Sequence, residues 1–136
     1  MSSNNDTNRV KHLEMAQSVI ARMAETSAAM KRYAVITFAV GMGLLRFPGM
    51  QELAWVVPVI VLAFWSLDAQ YLRQEKWFRK IYEEIRLGSP RYCNFELTPD
   101  KDIMSSATLW DGVKSWSTWG LYLPLLVISV TLWLCW

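Results

Sequence analysis

The chain has 136 residues, enough for one domain, and 53% of them are hydrophobic against 19% charged. Its formal net charge of +2 says little as a sum, but the charges are strongly segregated, and that segregation points to a membrane protein more directly than the mean hydropathy does. With one histidine and two cysteines, no CxxC, no Gly-rich phosphate loop and no Ser-His-Asp set, the chain is not expected to be an enzyme or to hold a metal or cofactor.

Residues 1–9 are small, polar and aperiodic, and read as a disordered N-terminus. They lack an apolar h-region, so no cleavable signal peptide is expected and the first membrane segment serves for targeting. Residues 10–32 read as an amphipathic helix. Leu13, Ala16, Ile20, Met23, Ser27 and Met30 recur at alternating spacings of three and four, a short seam of heptad type. The seam fits a helix lying on its neighbour, or one lining an oligomer axis. His12, on the polar side near Glu14, reads as structural or simply exposed.

Residues 33–67 read as a transmembrane helical hairpin. The first arm, 33–45, is uncharged but would span roughly 20 Å as a helix, short of a hydrocarbon core of ~30 Å. Snorkelling by Arg32 and Arg46 lengthens its effective span. Ala39 and Gly43 are four apart, as are Thr37 and Gly41, and such small-residue pairs permit close helix approach. Pro48 and Gly49 make the turn. The second arm, 53–67, is apolar with Pro58 near its start, and no Gly or Pro divides it from the charged stretch that follows. Residues 53–86 are therefore expected to form one helix passing from one solvent into another. A soluble hairpin buried in a core is the alternative, disfavoured by the length of the last segment.

Residues 68–114 read as a cytoplasmic helical region. Tyr71, Phe78, Tyr82 and Ile85 share a face, Glu75 can pair with Arg79 and Lys80 with Glu84, and Gly88 and Pro90 stop the helix. The stretch 91–97 is an irregular connector. Thr98 and Pro99 look like the start of a short polar helix over 100–114. Residues 115–136 carry no charge over 22 residues, long enough for a transmembrane helix, with Trp116, Trp119 and Tyr122 at one end and Trp133 and Trp136 at the other. Pro124 is a candidate kink. Cys93 and Cys135 fall on segments placed apart, so no disulfide is expected.

Five basic residues precede the first arm and eight lie between the second arm and the last segment, against Arg46 alone in the turn. That asymmetry places the N-terminus and the 68–114 region in the cytoplasm, and the turn and C-terminus outside. The expected fold is thus an all-α membrane protein: three transmembrane helices with cytoplasmic helical extensions, assembled as a homo-oligomer.

HLEMAQSVIARMA, over 12–24, and LDAQYLRQEKWFRKIYEEIR, over 67–86, resemble patterns of the type HLEMIQ-x-VI-x-RM and LDA-x-YLRQE-x-x-FRK-x-Y. These mark an uncharacterised family of small three-span bacterial inner-membrane proteins. The resemblance implies three membrane helices and a cytoplasmic helical part. It also gives a direction for function, since small membrane proteins of this general kind serve as effectors in anti-phage defence.

Two features bear on function. Arg46, Glu52, Thr37 and Asp68 lie near the membrane. The plain reading places the three charged ones at helix ends among headgroups; the sharper one turns them toward a bundle interior or water-filled path. Basic residues interleaved with aromatics over 73–86 either set orientation or bind an anionic lipid, nucleotide or oligonucleotide. The leading expectation is a homo-oligomeric inner-membrane channel or pore-forming effector, tetrameric or larger, gated through its cytoplasmic helices. Thr37, Gly41, Leu45 and Arg46 would line the pore, and Arg73, Lys76, Arg79 and Lys80 would take an anionic nucleotide or oligonucleotide. The alternative is a non-conducting, membrane-anchored adaptor that holds a cytoplasmic protein partner through Tyr71, Phe78, Tyr82 and the 91–97 connector. A lipid-interacting structural protein is a third.

Overall fold

The computed structural model describes residues 2–92 and 97–135. Cys93, most of the 91–97 connector and Trp136 lie outside the described residues. The described chain is all helical. Two long antiparallel helices, α1 (Ser2–Leu44) and α2 (Val56–Arg86), pack along most of their length, and α5 (Trp116–Cys135) lies against the apolar end of α2. Two short helices, α3 (Lys101–Ser105) and α4 (Leu109–Val113), sit against the charged half of α2.

Helix α1 is continuous from Ser2, within the stretch expected to be disordered, and it passes Lys31 and Arg32 without a break. The heptad-type seam is turned onto α2 rather than away from it. Ala16 packs with Ile81 and Ile85, Ser27 is buried opposite Asp68, and Ala34 packs with Val61. The turn contains Gly49 with φ of 84°, a left-handed conformation that glycine adopts without strain. A 3-10 turn over Gln51–Leu53 leads into α2. Pro58 falls in the first turn of α2, where a backbone N–H would have no intrahelical partner, so it frees no carbonyl and does not bend the helix.

Two apolar clusters result. One, at the apolar end, joins Ala34, Val61 and Tyr122 with Phe38, Phe64, Trp65 and three leucines of α5. The other, at the charged end, joins Ala16, Ile81, Ile85 and Tyr92 with Leu13, Phe78, Tyr82, Leu97 and Ile103. Two helical segments, one running through α2 (Gln51–Arg86) and one being α5, are long and apolar enough to cross a membrane. Their outward residues are large and apolar, Val59, Leu62, Val127 and Ile128 among them.

The region 100–114 is not one helix. Asp100, rather than Thr98, caps α3 by accepting a hydrogen bond from the Lys101 N–H at 2.8 Å. Thr108 then takes an extended conformation and starts α4. Its N–H donates to the Asp111 carboxylate at 2.7 Å and its hydroxyl does so at 2.9 Å. Gly112 lets α4 seat directly on α2, because a Cβ there would lie 2.4 Å from the Ala69 carbonyl oxygen. The buried Thr118 hydroxyl ties the start of α5 to the Gly112 carbonyl at 2.7 Å, and the Trp77 indole donates to the Ala107 carbonyl.

Two outcomes follow for this docked segment. Gly112→Ala forces α4 off Ala69, and overpacking of this kind costs about 1–3 kcal/mol; a lowered midpoint in thermal unfolding of the detergent-solubilised protein checks it. The Thr108 backbone N–H, and then its hydroxyl, hold the Asp111 carboxyl below its ordinary value of 3.8. Because the folded pKa is depressed, the cap is complete above that value and is lost as pH falls through the lower, folded one. Hydrogen exchange across 109–113 therefore speeds up on acidification relative to its intrinsic rate in the native chain, and Asp111→Asn abolishes that dependence.

Candidate functional site

Between the two apolar clusters lies a layer of buried polar groups, contributed by α1, α2 and α5. Asp68 stands at its centre and is fully buried, although it occupies the middle of a continuous helix. The Lys31 ammonium meets one carboxylate oxygen at 2.8 Å. The Ser27 hydroxyl, also buried, donates to the other at 2.5 Å and accepts from Lys31 at 2.8 Å. Ser27 and Lys31 are four apart on α1, so one helical face presents both to Asp68.

Tyr122 of α5 closes the layer. It is fully buried and its hydroxyl faces Asp68 without meeting it in hydrogen-bond geometry. The Trp65 ring stacks on the Tyr122 ring, with centroids 6.1 Å apart and planes 8° from parallel. Trp65 precedes Asp68 by three residues on α2, so the stack and the carboxylate share a face.

The arrangement is an ion pair largely removed from water. Lys31 retains 20% side-chain exposure, which gives its ammonium a path to solvent, whereas Asp68 has none. A buried carboxylate without its cation is strongly unfavourable. Among the described residues no group of three His, Cys, Asp or Glu is placed to hold a metal.

The headgroup reading of Asp68 does not hold, because the residue faces the bundle interior. Arg46 and Glu52 are exposed at the turn, as that reading expects. Ser27, Lys31 and Tyr122 were not singled out as site residues from sequence. A signal existed for one of them: Lys31 and Asp68 lie almost equally far from the turn at Pro48 and Gly49, which in an antiparallel hairpin brings them level.

Thr37, Gly41 and Leu45 are brought together, on the face of α1 turned to α2. There they help line an apolar groove of about 230 Å³ between the two helices. A Cβ on Gly41 would come within 3.1 Å of a Val57 methyl. Arg46 lies just beyond, exposed. Arg73, Lys76, Arg79 and Lys80 of α2 have different surroundings. The Arg73 guanidinium lies over the Trp77 ring at 4.7 Å, Lys76 donates to the Asp111 carbonyl at 3.2 Å, Arg79 forks onto Glu75 at 2.7 and 2.8 Å, and Lys80 borders a cleft with Glu84, Asp100 and Asp102. Of the aromatics expected to face a partner, Phe78 and Tyr82 pack against the apolar cluster at the charged end.

No family model, curated protein or solved structure matches the chain.

A double-mutant cycle separates the ion pair from simple packing. Lys31→Met alone strands the Asp68 charge, and Asp68→Leu alone strands the ammonium; breaking a buried pair in this way costs about 3–5 kcal/mol. The double variant Lys31→Met with Asp68→Leu is expected to melt above either single variant. Additive losses would show that the charges do not act as a pair.

Proposed function

We propose that the protein is a bacterial inner-membrane effector that assembles with copies of itself into an ion-conducting pore, its closed state held by the ion pair of Lys31 and Asp68. That buried pair carries the reading. Ionisable groups held among membrane helices are costly, and they mark ion pathways and gates.

The first arm supplies the third span. Residues 33–45 run antiparallel beside the apolar end of α2, and so reach the same depth in a bilayer. The distribution of basic residues, thirteen to one, favours the charged end lying in the cytoplasm. On the outward side of α1, Val35, Ile36 and Gly43 are exposed, and a Cβ on Gly43 would meet nothing within 4 Å. With Ala39 one turn away, that face admits close approach of a second copy.

In the closed chain Thr37, Gly41 and Leu45 face α2. They line a pore only if the arms of the hairpin part, with Arg46 at the outer mouth. The groove between α1 and α2 marks where parting meets least packing, and loss of the Lys31 contact would release the opposite end. A nucleotide or oligonucleotide trigger taken up by Arg73, Lys76, Arg79 and Lys80 rests on their charge alone. Anti-phage defence enters only as an implication of the resemblance.

One observation favours the second reading, a non-conducting membrane-anchored adaptor. A groove of about 590 Å³ at the charged end is lined by Gln17, Ile20, Ala21, Arg79, Tyr82 and Glu83, among others. It mixes apolar and charged groups, as a surface for a cytoplasmic protein segment would.

Reconstitution into liposomes loaded with a self-quenching dye, after the oligomer has been sized by native mass spectrometry, separates the two. The pore reading expects a discrete assembly of four or more copies with low basal leak. Asp68→Asn should raise that leak at least several-fold, and Arg79→Gln should not. A monomer that stays monomeric in lipid and never leaks, with or without Asp68→Asn, would sink the pore and leave the adaptor.

A further inference from the structure

An exposed aromatic surface lies where α4 meets α2. A groove of about 420 Å³ there is lined by Leu62, Trp65 and Ser66 of α2 and by Leu109, Trp110 and Val113 of α4. The α2 residues are spaced three and one apart, so they form one face of the helix, running toward its apolar end. The α4 residues cap that face at the charged end. Leu62 is 48% exposed, Leu109 43% and Trp110 70%. In water such a cleft would be a liability for a monomer; at a membrane boundary it is a seat.

The chemistry changes along the groove. Its length along α2 is hydrocarbon. Its α4 end is bordered by two cations: the Lys114 ammonium lies 6.0 Å from the Trp110 ring, and Lys76 reaches the Asp111 carbonyl. The one acid of α4, Asp111, is engaged by the Thr108 N–H and hydroxyl. Trp65, which lines the floor, has a buried indole N–H with no hydrogen-bond partner. An apolar slot with a cationic rim has the layout of an anionic phospholipid: chain, then phosphate.

We propose that this groove binds a single anionic phospholipid of the cytoplasmic leaflet. One acyl chain lies along Leu62, Trp65 and Ser66, and Trp110 covers the glycerol esters. Lys114, with Lys76 behind it, meets the phosphate. The site rests on the membrane placement above but not on conduction. It differs from the four-residue basic set read from sequence, since it shares only Lys76 with that set and adds an apolar slot. Its binding energy comes from buried chain area together with charge, as for other lipid-interacting basic sites.

The test uses the full chain reconstituted in nanodiscs of equimolar phosphatidylglycerol and phosphatidylcholine, then released into mild detergent for native mass spectrometry. Wild type is expected to retain one phosphatidylglycerol per chain, at least five-fold over phosphatidylcholine. Lys114→Gln should cut that preference to less than two-fold, and Trp110→Ala should cut total retention. Arg46→Gln, at the far end of the molecule, should change neither. If Trp110→Ala loses its helical circular dichroism, Ser66→Phe, which fills the slot from an exposed position, carries the test and should abolish retention. Equal retention of the two lipids by wild type, or a preference untouched by Lys114→Gln, overturns the site while leaving the membrane reading intact. Release of the protein from membranes by alkaline carbonate overturns the membrane placement and the site with it.

Discussion

A fully buried carboxylate constrains everything packed around it. Asp68 sits in the middle of α2 with no exposure, and the cost of taking a carboxylate out of water is several kcal/mol even after relaxation. Only a cation delivered by a neighbouring helix offsets that cost. Lys31 provides it, and Ser27 completes the coordination of the carboxylate. The pair thereby sets the register of α1 against α2. A slip of one turn would strand the charge and would also take Ala34 off Val61 and Ala16 off Ile81. Apolar seams made largely of Ala, Met, Val and Ile tolerate such slips far better than a single buried ion pair does, as single polar residues that specify coiled-coil register illustrate.

The other elements are arranged about this layer. Gly112 brings α4 onto Ala69, the residue after Asp68. Thr118 then ties α5 back to α4, and one turn later Tyr122 is buried beside the layer with Trp65 stacked on its ring. Small residues and hydroxyls thus do here what large apolar residues do in the two clusters on either side. The polar layer separates the apolar cluster at the lipid-compatible end from the one at the charged end.

Much of this fold was legible from the chain. The unbroken α2 followed from the absence of Gly and Pro between its apolar and charged halves, and the hairpin from Pro48 and Gly49. Periodicity also put Thr37, Gly41 and Leu45 on one face of α1. Periodicity reports what a face is made of, however, and not what lies opposite it, so α2 as the neighbour of that face could not be read. The same limit hid the polar layer. Ser27 looked like a small residue weakening a seam, Lys31 like a boundary marker, and Tyr122 like part of an aromatic belt. Their roles depend on a juxtaposition across two helix interfaces. The basic residues of α2 show the same limit. At 100° per residue Arg73, Lys76, Arg79 and Lys80 fall within about 120° of the helix, but the pattern did not show that Arg73 engages Trp77, Lys76 the Asp111 carbonyl and Arg79 Glu75.

Magnitudes bear on how such a layer would serve a gated membrane protein. Moving a two-state equilibrium from about 1:99 to 99:1 takes roughly 5.5 kcal/mol of differential interaction. Losing one partner of a buried ion pair costs about 3–5 kcal/mol, the same order. Opening would hydrate both charges instead of stranding one, so such a pair would hold a hairpin shut by less than that figure, and one assembly interface or one ligand could overcome it. A fully apolar interface of the same length would have no such threshold, because its cost of opening is spread over many small contacts. A surface ion pair, worth about 0–1 kcal/mol, would hold nothing. The burial of Asp68, together with the partial exposure of Lys31, places this pair between those limits. Water has access to the ammonium and none to the carboxylate, so the cation is the side of the pair at which hydration would begin.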